Sequence, residues 1–148
     1  MSQHIGSMDQ YVSYALAAAH RAVNGSLTSR LKKHGLQIEA WRIIEALEGD
    51  PRLTMGELAH IVLINPPTLS KLVDRMVSNG LVHRQVAQSD QRQINLLISD
   101  LGKKRMMQIR SEVEDEDQML VSRIGAARMS QRITLLNDLV DTNRGQDS

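Results

Sequence analysis

The 148-residue chain predicts a mainly α fold with a minor β component, built around a helix pair and a hairpin. Three observations carry this. Thr54-Met55-Gly56-Glu57 has the form of a capping box opening a short helix. Asn65-Pro66-Pro67 starts a second helix whose apolar residues make one clean stripe. After Gly80 the hydrophobic period changes from that of a helix to that of a strand, on both sides of the polar tip "SDQR".

The elements follow in order. Met8 to about Lys33 is rich in Ala and Leu, holds no proline, and ends in Lys32-Lys33-His34 before Gly35, a helix stop with cations in its last turn. In "LQIEAWRIIEALEGDP", Ala40, Ile43, Ile44 and Leu47 fall at i, i+3, i+4, i+7, and Gly49-Asp50-Pro51 ends the helix. Leu53 reads as a very short strand or a linker residue.

Thr54 caps a short helix that runs through about Leu63. Ile64 to Pro67 breaks it, with Asn65 as N-cap and Pro66 in the first helical position. Leu69, Leu72, Val73, Met76 and Val77 then line one face, while Ser70, Lys71, Asp74, Arg75 and Ser78 line the other. Gly80 suits the position just past the helix end.

Val82, Arg84 and Val86 alternate with His83 and Gln85, and Ile94, Leu96 and Ile98 alternate with Gln93 and Asn95, which predicts a β-hairpin. Ser99 reads as the N-cap of a long helix running past Gln118. Gly125 separates it from a last helix at about Ser130 to Asp141. A short helix, a tight break, an amphipathic helix and a hairpin make a winged helix-turn-helix, with the second helix free to enter a duplex groove.

Composition narrows the function. Apolar residues make up 41% of the chain and aromatics 2%, so Leu, Ile, Val, Met and Ala must build the core. Cysteine is absent, which excludes disulfides and thiolate chemistry. No apolar run approaches the ~20 residues of a membrane span. "MSQHIGSM" lacks the layout of a signal peptide, and a cytoplasmic location is expected. Residues 111–148 carry eight acids against four arginines, and residues 1–110 carry fourteen bases against nine acids. That asymmetry hints at a polyanion partner or is ordinary surface variation. The five histidines form no i, i+4 pair and dictate no metal site. No nucleophile–base pair, ligand cluster or phosphate loop points to an enzyme or a cofactor.

Thr54 to Met106 resembles the MarR family of bacterial winged-helix regulators. The resemblance rests on "ELA" in the first helix of the pair, "LSKLVDRMVSNGLVHR" across the second helix and first strand, the Asp-x-Arg of the wing, and "IS-x-x-G" opening the long helix. Gln91 stands where the family often has arginine, so the wing tip carries one positive charge fewer.

The resemblance implies a homodimer that binds a palindromic operator in double-stranded DNA. It assigns 8–34 and 101–144 to dimerisation and 35–100 to DNA binding. The apolar "YVSYALAAAHRAV" and "MLVSRIGAARMSQRITLLNDLV" are compatible with a partner surface, or pack on their own chain. The function implied is a transcriptional repressor relieved by a small aromatic acid or phenol. The alternative is a winged-helix module that binds protein.

The DNA-contact candidates are Thr68, Ser70, Lys71, Arg75, Arg84, Asp90 and Arg92. Arg92 would enter the minor groove, with Asp90 holding its guanidinium in direction. Lys71 and Arg75 reach phosphates or bases, and Asp74 is available to orient either. Arg84 contacts a phosphate or pairs with an acid within the fold. His20, Arg21 and Trp41 are ligand candidates: Arg21 for a carboxylate, His20 or Trp41 for stacking. The alternative for Trp41 is the core, and for His20 ordinary packing.

Overall fold

The structure, a computed structural model, describes residues 7–49, 53–85 and 95–144. A 3₁₀ turn at Met8–Gln10 leads into α1 (Val12–Lys32), α2 (Ile38–Gly49), α3 (Met55–Val62) and α4 (Pro66–Ser78). β1 (Val82–Gln85) and β2 (Asn95–Ile98) follow, then α5 (Asp100–Ile124) and α6 (Ala126–Arg144). The chain forms two compact units that divide between Ser111 and Glu112. Among the described residues no helix is long and apolar enough to cross a membrane.

The core of the first unit lies among α2, α3, α4 and the hairpin. The expected row Ala40, Ile43, Ile44 and Leu47 is buried, as are Leu58 and Val62 of α3. Leu31, Val82, Leu96, Met106 and Ile109 complete the interior. Each fully buried aliphatic side chain contributes roughly 1.5–3 kcal/mol. Aliphatic residues do almost all of this packing. Trp41, 6% exposed, is the single aromatic among the buried hydrophobic residues described.

Two helix ends set the path of the chain. At the end of α1, Gly35 takes φ +68°, and the Leu36 N–H donates to the Leu31 carbonyl. At the end of α4, Gly80 takes φ +75°, its N–H donates to Val77, and the Leu81 N–H donates to Met76. Both follow the Schellman pattern, with glycine in the left-handed position as the sequence predicts.

β1 and β2 pair antiparallel, with Val82 opposite Ile98 and Arg84 opposite Leu96. Leu53 takes no regular structure, and Thr54 is an isolated bridge residue.

Ser99 locks the hairpin to the helices on either side of it. Its hydroxyl donates to the Gly80 carbonyl at 2.5 Å and accepts from the Gly102 N–H at 2.9 Å. Its own N–H donates to the Leu81 carbonyl. Gly102 permits this closeness, because a Cβ there would overlap the Leu81 carbonyl oxygen. Farther along α5, Arg110 donates to Glu45 and Glu48 of α2, and Arg105 donates to the His34 carbonyl. The hydrogen bond to Glu48 and the charge of Glu45 raise the pKa of Arg110.

The last helix starts earlier than the sequence suggests, at Ala126 rather than about Ser130. Gly125, at φ +97°, suffices as the break, and the two alanines after it are strong helix formers. Within the second unit, Ile133, Leu135, Leu136, Leu139 and Val140 of α6 remain exposed.

Candidate nucleic-acid interface

α4 is fixed to the protein by one face. Leu69, Leu72, Val73 and Met76 are buried, and Val77 is half-buried at the edge. Thr68, Ser70, Lys71, Asp74, Arg75 and Ser78 are exposed. The polar side chains picked out in the sequence therefore share one outward surface.

The start of α4 has an unusual donor inventory. A helix N-terminus ordinarily offers free N–H groups to an anion. Here Pro66 and Pro67 have none, and the Thr68 N–H is taken by the Asn65 side chain at 2.9 Å. The Leu69 N–H already bonds the Asn65 carbonyl. The first turn therefore leaves no free N–H among residues 66–69 for an anion, while the side chains of Thr68 and Ser70 are exposed.

The turn before α4 is strained. Leu63 adopts φ +65°, a left-handed conformation rare for a residue with a Cβ. The Ile64 N–H donates to the Ala59 carbonyl and closes α3. At the other end of α3, the Thr54 Oγ1 accepts from the Glu57 N–H at 3.1 Å, as expected of a capping box. The Glu57 carboxylate meets the Thr54 hydroxyl, at 3.0 Å.

Arg84 bonds Asp74 across the hairpin–helix junction, Nη2 to Oδ1 at 2.5 Å. Val82 and Arg84 lie on the same strand face, which packs toward α4. Arg84 thus pairs with an acid of the fold, one of the two roles the sequence left open to it, and Asp74, available in sequence to Lys71 or Arg75, is engaged by Arg84. The two side chains are 51% and 61% exposed, so the pair is worth at most ~1 kcal/mol. Asp90, Gln91 and Arg92 lie outside the described residues.

A cleft of about 600 Å³ runs beside α4. Asn24, Thr28 and Lys32 of α1 line it on one side, and Thr68, Leu72 and Arg75 of α4 on the other. His20, Arg21 and Trp41 do not line it. His20 and Arg21 are exposed one turn earlier on α1, and Trp41 is in the core. The missed signal is the polar row Asn24, Thr28, Lys32, spaced i, i+4, i+8 on the helix already suspected. Among the described residues, no group of His, Asp or Glu could hold a metal ion.

Residues 34–93 match the MarR family. Over 133 residues the chain is 26% identical to the homoprotocatechuate degradative operon repressor of Escherichia coli, spanning 90% of each chain. Among solved structures it resembles the transcriptional repressor CouR bound to a 23-mer DNA duplex, at TM-score 0.85 and 19% identity, over 95% of this chain and 99% of that one. NadR in complex with 4-hydroxyphenylacetate is similar at TM-score 0.74 and 26% identity, over 94% and 95% of the two chains. Element order, helix caps and relatives matched along nearly their whole length agree in one likeness: the chain is similar to the MarR family of winged helix-turn-helix transcriptional regulators, whose model matches residues 34–93.

Proposed function

We propose that this regulator is a homodimeric repressor that binds a palindromic operator in double-stranded DNA and is released by a small aromatic acid or phenol. The observation that carries the DNA-binding reading is α4: its apolar stripe is buried, and beyond Pro66 and Pro67 its exposed face holds short polar and charged side chains. In this reading Thr68 and Ser70 approach bases or phosphates, and Lys71 and Arg75 reach farther. Arg84 reaches a phosphate from beside Asp74, and Arg92, aimed by Asp90, enters the minor groove.

Dimerisation is supported by apolar residues left exposed in two places. Tyr11, Val12, Leu16 and Val23 stand out on α1, and Ile133, Leu136 and Val140 form a row on α6. Exposed apolar rows of this kind mark association surfaces. A two-fold dimer would present its α4 helices about 34 Å apart, one turn of DNA. A cytoplasmic location goes with this reading. The cleft beside α4 is the effector site in this reading, supported by the 4-hydroxyphenylacetate bound to NadR.

The test is a mobility-shift titration on the DNA flanking the protein's own gene, at several salt concentrations and with a panel of aromatic acids. Binding that weakens steeply with salt is expected, as is release by at least one acid. No binding, or binding indifferent to salt, sinks the reading.

A further inference from the structure

The cleft and the outward face of α4 share a border. Successive helix residues turn by about 100°, so Thr68, Leu72 and Arg75, at i, i+4, i+7, make one row. That row lines the cleft. Lys71, Asp74 and Ser78 make the next row outward, and Leu69, Val73 and Met76 make the buried one. Thr68 and Arg75 are exposed and stand on the shoulder between cleft and outer surface.

The lining suits an amphipathic anion. Leu36, Ile38, Ile64 and Leu72 offer an apolar wall. Lys32 and Arg75 outnumber the one carboxylate, Glu39. Arginine binds a carboxylate through two parallel N–H bonds. Among the described residues no acid is paired with Arg75, and its neighbour Asp74 is engaged by Arg84.

We propose that Arg75 serves both ligands, so that a carboxylate effector in the cleft and the operator compete for one guanidinium. This rests on the effector reading above and specifies its mechanism. A guanidinium held bidentate by a carboxylate has its charge neutralised and its donors occupied. It is then lost to phosphates and base edges. Thr68, on the same row, offers its hydroxyl to the bound carboxylate and is withdrawn from DNA with Arg75.

Competition and remote coupling give different titrations. The apparent operator Kd of the full chain is measured by fluorescence anisotropy against rising 4-hydroxyphenylacetate, and binding of that acid to the free protein by calorimetry. Competition makes the apparent Kd climb without limit as the acid is added. Coupling through a conformational change levels off, typically after a roughly 5–150-fold rise. Arg75→Gln is expected to weaken binding of both the acid and the operator by at least about tenfold. A plateau, or an Arg75→Gln variant that loses only the operator, overturns the sharing of Arg75 and leaves the effector reading standing. Failure of this acid to bind the free protein overturns the sharing of Arg75, and failure of every acid in the panel to bind overturns the effector reading with it.

Discussion

α4 and α6 both carry several aliphatic residues in sequence, yet they finish differently. α4 has 13 residues and buries four of its apolar side chains completely or nearly so. Its first turn is capped by Asn65 and its last by the Gly80 turn. α6 has 19 residues and buries none. Leu135 is 63% exposed, and the row Ile133, Leu136, Val140 faces solvent. The helix proposed to meet a polyanion hides its large apolar groups apart from the half-buried Val77, and the helix proposed to meet protein leaves them out. Each surface is written in the chemistry of its partner: hydroxyls and cations for phosphate, aliphatic side chains for a second copy.

The sharpest way to break this comparison is to charge the α6 row. Leu136→Glu with Val140→Glu should reduce the sedimenting species to a single chain. Each substitution at an interface centre costs about 2 kcal/mol or more, some thirtyfold in affinity per residue. Operator binding should fall with it, because one winged helix alone loses the second half-site. A dimer that survives both charges would mean that the α6 row is covered by something other than a second copy.

The mount of α4 is tested from behind. Gly102→Ala pushes a methyl group against the Leu81 carbonyl at the junction held by Ser99. Overpacking of this kind costs about 1–3 kcal/mol, read as a lower midpoint in urea. A variant as stable as the parent would show that α5 can slide away from the hairpin without loss.

The turn into α4 should respond in the opposite sense. Leu63→Gly relieves a left-handed leucine that is 74% exposed and so buries little. The left-handed conformation costs roughly 1–2 kcal/mol with a Cβ, and glycine returns ~0.5–1 kcal/mol of that through its freer unfolded chain. A net gain of up to about 1.5 kcal/mol is expected, a rise of a few degrees in Tm. A loss of stability would show that the leucine side chain is held by contacts worth more than the strain.

What was legible in the sequence was local. Thr54, Asn65, Gly35 and Gly80 act within a few residues of themselves, as does Ser99 in capping Gly102, and each sits where turn and cap chemistry placed it. The hairpin strands and the buried row of α2 followed from periodicity alone. Less legible was whatever depends on elements meeting. Lys32 and Arg75 share a cleft although 43 positions separate them, and no spacing rule joins them. Asp74 has Lys71 and Arg75 as helical neighbours, and only the docking of β1 against α4 shows that Arg84 reaches it. Trp41 read from sequence as core ahead of ligand stack, and its burial among the α2 aliphatics agrees with the first.

Asp74 gives the smallest effect and the finest test of how α4 is tuned. Its carboxylate lies on the surface proposed to face phosphates, so it opposes binding while holding Arg84. Asp74→Asn should cost at most ~1 kcal/mol of stability, since the pair is solvent-exposed. It should tighten operator binding several-fold, because a repelling charge is removed and Arg84 no longer shares its charge with a carboxylate beside the phosphate. The slope of log K against log salt should steepen, by no more than the ~0.9 that one extra phosphate contact brings. Weaker binding, concentrated on operators with one particular base changed, would give Asp74 a different role. It would then be accepting a hydrogen bond from a base edge such as cytosine N4, and the row outward of the cleft would carry sequence readout as well as charge.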